Sequence, residues 1–466
     1  MATSTVSSAG IGSGLDVNSI VTQLMAIEKQ PLTALQTKAS KIQSTVSEYG
    51  KVKSTISTLK DLSTKLASMT TWAQTTSTSS DAKAVTASTS GSAPGNYSVA
   101  VQSLASVQTL ATSVFPSAAA TPGAGTLHIE LGTWGAGQTS FTPNAGATAV
   151  DIAVAATDTL TDVRDKINAS GAGVTALIMT DATGSRLLIR SNTTGADNAF
   201  RTSGLAGMNY DTGAKDMTQN QTAANAAATV NGLAVSSPTN TLSNIVDGLT
   251  LKLSAVTAAP VSVDVVTDTD ALKKTMTDFA AAYSAVVQLI STDTKYDAVN
   301  KKGGILQGDS MATSLQRQLR TLAGSTSGAS TMFAHLSDVG LEVQIDGSMT
   351  VNATKVDNAL ANLGELKKMF SNSNVLDATQ DGFAKRFKTI TTTLLASDGS
   401  VTTRTAGLAN ELTKNQKDQD SLSLRLASIE KRMRAQYTAL DATMARLNST
   451  STYLTNQIAA YNKSTG

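Results

Sequence analysis

The stretch from Leu408 to Gly466 carries apolar residues at heptad spacing. They recur at steps of four and three, with one additional four-residue step between Met433 and Tyr437. This spacing predicts a long helix with a narrow apolar stripe that packs on other helices, and the additional step locally unwinds a supercoil. We predict an assembly seam formed by Leu422, Leu426, Ile429, Met433, Tyr437, Leu440, Met444, Leu447, Leu454 and Ile458.

The N-terminal part of the chain has a similar stripe. Asp16 is placed to cap a first helix, and Pro31 is placed in the first turn of a second one. The predicted N-terminal seam consists of Ile20, Leu24, Ile27, Leu35, Ile42 and Val46. Because the two ends of the chain carry matching helices, antiparallel pairing is the simplest way to cover both stripes.

Two interpretations of the C-terminal stripe remain open at this stage. An ordinary long bundle helix explains its upper part, but nothing follows the final thirty or so residues on which they could pack. Those residues need the N-terminus, sister subunits or another protein as a partner. We therefore expect residues 1–40 and 435–466 to be largely unfolded in the free subunit and to order on assembly, since isolated helices are marginal in water.

Between residues 70 and 267 the sequence is rich in turn-forming and β-prone residues. A capping box at Thr159–Asp162 predicts one short helix among candidate strands, which include a single strand over Thr229–Val235. The polar segment 203–227 is predicted to be loop. Helical spacing returns at Thr267, and a hairpin with a primed turn is predicted around Asp346-Gly347.

The predicted fold class is a multidomain α+β protein in which long terminal helices form a coiled-coil or helical-bundle stalk and two β-rich head domains are inserted between them. The predicted parts are terminal helical legs over 1–44 plus 427–466, partly disordered when free; a helical-bundle domain over 45–72 plus 268–426; a β-rich head domain over 73–112 plus 228–267; and a second β-rich head domain over 113–227.

Composition and residue spacing do not indicate a catalytic or metal-binding site. The net charge is +2 and there is no cysteine, so neither a nucleic-acid partner nor thiolate chemistry is indicated. His128 and His335 lie in different segments without a partner carboxylate nearby in sequence, which favours structural roles. The best apolar run, Phe279 to Ile290, is too short to cross a membrane. We predict no enzyme, cofactor, metal site or membrane insertion.

Several segments resemble one known family. They are GSGLDVNSIVTQLMAIEKQPLTAL near the start, LTDVRDKINASGAGVTALIMTDATGSRLLIRSNTTG in the middle, and SLSLRLASIEKRMRAQYTALDATMARLNSTSTYLTNQIAAY at the end. In these segments the chain resembles the bacterial flagellar filament-capping family, also called hook-associated protein 2 or FliD, and the middle segment is similar to a flagellin-type insert.

The resemblance implies a structural cap at the distal end of the flagellar filament, outside the cell. It implies a ring-shaped homo-oligomer, most simply a pentamer, under which exported flagellin folds and inserts. A dedicated export chaperone and export by the flagellar secretion apparatus, without a cleavable signal, are further implications. The alternative is an extracellular adhesin that presents its β domains on a coiled-coil stalk.

Overall fold

The computed structural model describes residues 16–464 and divides the chain into two compact units. The helical unit comprises Met1–Met69 and Lys273–Gly466, and the β-rich unit comprises Thr70–Leu272. The predicted class, α+β with long terminal helices and a β-rich insert, is confirmed. Residues 1–15 of the predicted legs lie outside the described residues, as do 465 and 466.

The helices begin where the local capping signals predict. Asp16 accepts the Ser19 N–H at 3.0 Å, and Thr159 and Asp162 form a reciprocal capping box. The helices are α1 Val17–Glu28, α2 Gln30–Ala67, α3 Met69–Trp72, α4 Leu160–Ala169, α5 Thr269–Thr294, α6 Ser310–Ala323, α7 Ala353–Leu360, α8 Leu363–Ser371, α9 Phe383–Leu395 and α10 Ser400–Ser464.

The strands pair antiparallel throughout. They are β1 Thr75–Ser79, β2 Val85–Thr89, β3 Gly95–Ser103, β4 Thr109–Ala111, β5 Gly125–Trp134, β6 Phe141–Pro143, β7 Val150–Val154, β8 Val174–Asp181, β9 Gly184–Ser191, β10 Ala199–Ser203, β11 Thr218–Gln221, β12 Ala226–Val230, β13 Leu233–Ser237, β14 Thr241–Val246, β15 Leu249–Leu253, β16 Val261–Thr267, β17 Tyr296–Asp297, β18 Lys302–Gly303, β19 Leu341–Val343 and β20 Met349–Val351.

The β-rich unit contains two hydrophobic cores. The first lies between the sheet β1-β16-β3-β12-β13 and the sheet β14-β15-β2. The second is formed by α4, the sheet β11-β4-β9-β8, and the sheet in which β5 pairs with β6, β7 and β10. Apolar side chains alternate with polar ones along these strands, as expected for sheets with one buried face.

Two predictions for this unit are wrong. The single strand expected over Thr229–Val235 is divided between β12 and β13 by Asn231 and Gly232, whose φ angles of 49° and 81° are both positive, as a two-residue type I′ turn requires. The segment 203–227 is not only loop, because it contains β11 and the start of β12. It also supplies Leu205, Met208 and Tyr210 to the second core.

The β19–β20 hairpin in the helical unit also differs from its prediction. Gly347 has a φ of 88°, but Asp346 is not among the described residues with positive φ. A primed turn of type I′ requires positive φ at both central residues. The observed loop is longer than a two-residue turn. The Gln344 N–H donates to the Ser348 carbonyl, and the Gly347 N–H donates to the Gln344 carbonyl.

Aromatic packing holds the middle of the helical unit. Phe279 and Tyr283 of α5 both pack edge-on against Phe387 of α9, with ring centroids 5.2 Å and 5.9 Å away. All three side chains are fully buried. Edge-to-face contacts of this kind add to the stabilisation from area burial alone, so this cluster fixes how α5 and α9 cross.

Asp309 joins three helices of this unit. Its carboxylate caps α6 by accepting the Met311 and Ala312 N–H groups at 3.0 Å and 3.2 Å. The same carboxylate accepts the Tyr49 hydroxyl of α2 at 2.7 Å and pairs with Arg404 of α10 at 2.9 Å. One buried acceptor therefore fixes the position of α6 between the two long helices.

Candidate assembly surface

The two ends of the chain pair antiparallel. Arg434 of α10 donates to the Asn18 side chain of α1 at 3.0 Å, and Lys38 of α2 pairs with Glu411 of α10 at 2.9 Å. Residue numbers therefore rise along one partner as they fall along the other. This confirms the antiparallel pairing expected from the matching stripes.

The first part of the predicted C-terminal seam is packed against α1. Leu426 is buried together with Val17, Val21 and Met25. Partly buried apolar side chains surround this cluster, and they are Leu32, Leu422, Ile429, Met433 and Tyr437. We call Leu422, Leu426, Ile429, Met433 and Tyr437 the packed half of the seam.

The second part of the seam has no cover among the described residues. The exposed fractions of its side chains are 47% for Leu440, 37% for Met444, 59% for Leu447, 54% for Leu454 and 60% for Ile458. We call these five residues the open half of the seam. Residues 438–464 of α10 extend past the last packed seam residue, and at 1.5 Å per residue they span about 40 Å.

The N-terminal seam residues fall into two groups. Ile20 is half-buried, while Leu24 and Ile27 are 37% and 64% exposed. On α2, Ile42 is buried and Leu35 and Val46 are half-buried. As members of an assembly seam these six residues remain a prediction, because a single chain does not show what a second chain would cover.

The residues of α1 that pack on α10 are not those of the predicted N-terminal seam. Val17, Val21 and Met25 form a stripe at i, i+4 and i+8, directly beside the stripe of Ile20, Leu24 and Ile27. Both stripes are apolar, so the 3.6-residue period alone does not choose between them. The broad apolar arc of α1 was the available signal that this helix can contact more than one neighbour.

Charged pairs add little to the pairing of the terminal helices. The Lys38 ammonium hydrogen-bonds to Glu411 and holds the pKa of that carboxyl below its usual range. Both side chains are about half exposed, and such surface pairs contribute about 0–1 kcal/mol. Apolar contact therefore determines the pairing, and the charges help to set its register.

Each histidine lies beside a carboxylate, so the expectation that neither has such a partner is wrong. Asp338 follows His335 by three residues in the sequence, whereas strand pairing brings Asp151 to His128. His128 and Asp151 face each other on β5 and β7, with Nδ1 and Oδ1 2.6 Å apart. His335 Nδ1 lies 3.7 Å from the Asp338 carboxylate. Over residues 16–464 there is no group of three or more His, Cys, Asp or Glu residues that could hold a metal ion.

The same described range contains no helix long and apolar enough to cross a membrane. The fold has the features of a multidomain structural protein. Its terminal helices pair antiparallel, its β-rich insert has two cores, and the apolar stripe of α10 continues beyond the part that packs on α1. The comparisons with known proteins agree with this class.

Three family models match the chain. The model described as Flagellar hook-associated protein 2 N-terminus matches residues 13–108, and the model described as Flagellar hook-associated protein 2 C-terminus matches residues 223–449. The Flagellin hook IN motif matches residues 137–193, which contain all but the last two residues of the segment predicted as a flagellin-type insert. None of these descriptions names a catalytic activity.

Relatives match over nearly the whole chain. Flagellar hook-associated protein 2 of Escherichia coli (strain K12) is 32% identical over 477 residues, which cover 97% of this chain and 98% of that one. The A-type flagellar hook-associated protein 2 of Pseudomonas aeruginosa is 29% identical, with 95% of each chain covered. The chain belongs to the flagellar hook-associated protein 2 family.

A solved structure supports the same assignment. The crystal structure of the flagellar cap protein FliD D1-D2-D3 domains from Escherichia coli superimposes with a TM-score of 0.61 at 28% identity. The match covers 78% of this chain and 99% of that one.

Proposed function

We propose that this protein is the structural cap at the distal end of the bacterial flagellar filament. As an oligomeric scaffold it promotes insertion and folding of exported flagellin and prevents loss of monomers from the tip. Family membership supports this role, as does the description of a solved relative as a flagellar cap protein.

The open half of the seam is the observation that carries the proposal. Its five side chains lie on a helix that continues about 40 Å past the last packed seam residue. Burying a half-exposed Leu or Ile side chain contributes about 1 kcal/mol, so a partner that covers all five gains about 5 kcal/mol per subunit. A subunit that contacts its neighbours through this stripe is stabilised only in the assembled cap.

We further propose that the partners are other copies of the chain in a ring, a pentamer by family resemblance, together with flagellin and the filament tip. The subunit reaches the tip through the flagellar secretion apparatus without a cleavable signal and with a dedicated export chaperone. Its working location is then extracellular. The division into legs, bundle domain and two head domains is part of this proposal.

The cap is not an enzyme in this proposal, and it needs no cofactor, nucleic acid or membrane insertion. The adhesin alternative would use the β domains for a surface ligand. The matched descriptions name flagellar components and do not favour that alternative.

A pair of substitutions on α10 tests the proposal. Leu447→Asp places a charge in the open half of the seam, while Leu424→Asp places the same charge at a 76% exposed leucine outside the seam. Leu440→Asp repeats the first substitution at a second open position. Each variant is expressed in a flagellated strain that lacks its own cap protein, and filament length and flagellin in the medium are measured.

We expect Leu447→Asp and Leu440→Asp to abolish capping and release flagellin into the medium, because a charge in a packed seam costs a kcal/mol or more in every subunit. Leu424→Asp should cap normally. Normal filaments with both seam variants would rule out an assembly role for the open half, and failure of the wild-type chain would reject the cap function itself.

A further inference from the structure

The loop between α8 and α9 presents two aliphatic side chains almost entirely to solvent. Val375 and Leu376 are 98% and 97% exposed. Turn tips are normally occupied by polar residues and glycine, so two adjacent exposed aliphatic residues at this position are unusual. We call Val375 and Leu376 the knob.

Hydrogen bonds hold the knob in one conformation. The Asn374 side chain accepts the N–H groups of Leu376 and Asp377 at 2.9 Å and 3.2 Å. The stem of the loop is closed where Asn372 donates to the Gln380 carbonyl at 2.7 Å. A knob fixed by polar contacts loses little conformational freedom when another surface covers it.

An open groove of about 650 Å³ lies in the same unit, between α6, α9 and residues 378–381. Leu322 and Ile390 form its apolar base, and Thr321 and Thr389 lie at its edge. The knob does not occupy this groove in its own chain, since both of its side chains are exposed. The helical unit therefore presents an apolar projection beside an apolar recess, because the loop that carries the knob also contributes residues 378–381 to the groove.

The charges around the two surfaces are partly complementary: Arg317 and Arg386 line the groove together with Asp381, and the Asp377 carboxylate beside the knob also accepts the Thr379 N–H and hydroxyl. Asp377 directly follows the knob, and Arg317 lies at the edge of the groove without a hydrogen bond or ion pair among residues 16–464. Arg386 also lines the groove, where it donates to the Thr326 carbonyl and the Ser325 hydroxyl. A knob entering the groove of another copy can bring Asp377 to Arg317 while Arg386 keeps its own partners.

We propose that the knob of one subunit docks in the groove of a second copy of the chain. The contact is heterologous, because two different surfaces meet, and repeated heterologous contacts form a ring when the rotation closes. The contact thus rests on the proposed self-assembly and adds a second interface to the open half of the seam. It lies on the bundle helices rather than on the terminal ones.

Disulfide trapping tests the contact directly, because the chain has no cysteine of its own. Leu376→Cys in the knob and Thr321→Cys at the groove edge are made in separate full-length proteins that carry different tags. The two proteins are mixed, oxidised and resolved on a non-reducing gel. Val299→Cys, at a 90% exposed aliphatic residue of the β17–β18 loop, replaces Leu376→Cys in the control mixture.

We expect the knob–groove mixture to form the mixed disulfide at least about tenfold faster than the Val299 control. In proteins without introduced cysteine, Val375→Ser combined with Leu376→Ser should weaken self-association by about tenfold or more, as expected for two lost apolar contacts. Thr321→Arg, which fills the groove from an exposed position, should weaken it similarly without changing the circular dichroism spectrum.

A mixed disulfide no faster than the control would overturn the proposal. Equally fast homodimers of Leu376→Cys alone would also overturn it, because they would place knob against knob across a two-fold axis. These measurements use purified protein and do not depend on filament capping. A failed capping assay with a positive disulfide result would therefore reject the cap function and leave the contact standing.

Discussion

Replacement of Asp309 by alanine tests whether one acceptor holds α2, α6 and α10 together. The Asp309 side chain is only 7% exposed, and Arg404 reaches it through both Nε and Nη2, at 3.1 Å and 2.9 Å. Loss of the α6 cap costs about 1 kcal/mol. The buried Tyr49 hydroxyl, left without its acceptor, costs about 1–3 kcal/mol.

The Arg404 side chain is 42% exposed, so water solvates it when Asp309 is removed, and loss of this ion pair adds up to about 1 kcal/mol to the other two losses. We therefore expect Asp309→Ala to lower the free energy of unfolding of the helical unit by about 4 kcal/mol. Tyr49→Phe removes only one hydrogen bond and leaves the pair with Arg404, so it should cost about 1 kcal/mol. The decisive expectation is that Asp309→Ala lowers the free energy of unfolding more than Tyr49→Phe does.

The assay is urea unfolding followed by circular dichroism at 222 nm, which reports mainly on the helical unit of this multidomain chain. If Asp309→Ala costs less than about 1 kcal/mol, or no more than Tyr49→Phe, then Asp309 does not hold the three helices together. Arg404→Ala is the intermediate case, since it leaves the carboxylate buried but still bonded to Tyr49 and the α6 N–H groups.

The contribution of Asp309 also depends on pH with a definite sign. Burial raises its pKa, but hydrogen bonds from Tyr49, the Ala312 N–H and Arg404 outweigh burial and hold the pKa below its usual value. Because the folded-state pKa is the lower one, the stabilisation is complete above the pKa of the unfolded chain. It is lost as the pH falls through the folded value.

Three further expectations concern other parts of the chain. Burial and the neighbouring Glu48 carboxyl raise the pKa of Asp293 to about 6, so ionisation of Asp293 lowers the free energy of unfolding as the pH rises from about 4 through 6. Asp293→Asn should therefore add about 1 kcal/mol to the free energy of unfolding in urea at pH 7.5 and nothing near pH 4. An equal gain at both pH values would contradict this expectation. Amide hydrogen exchange should show residues 435–464 unprotected in dilute monomer and protected in the assembled cap, whereas strong protection in both states would mean preformed legs. His128→Ala and His335→Ala should leave motility intact, and loss of filament growth with an unchanged circular dichroism spectrum would reject their structural role.

The sequence alone was sufficient wherever the decisive interactions are local. The Asp16 cap, the Thr159–Asp162 capping box and Pro31 in the first turn of α2 each act within a few residues of themselves. Asn231-Gly232 carried an equally local hairpin signal, which the prediction of one continuous strand overlooked. The heptad spacing of α10 likewise follows from the order of its residues.

The family could also be inferred from sequence, because its segments match in order along the chain. The buried role of Met208 and Tyr210 could not be inferred. A polar segment with scattered apolar residues looks like loop until the sheet beneath it is known. The partner of His128 is similar, since Asp151 becomes its neighbour only through the register of β5 and β7.

Only the tertiary structure decided which side of α1 is packed and which seam residues of α10 are covered by residues 16–464. Periodicity showed apolar stripes on both helices, but an apolar stripe does not specify its partner. The choice of Val17, Val21 and Met25 over Leu24 and Ile27 depends on where α10 lies. The end of the packed half at Tyr437 depends on the register that places Asn18 beside Arg434, because burial is a property of pairs of elements and not of one helix.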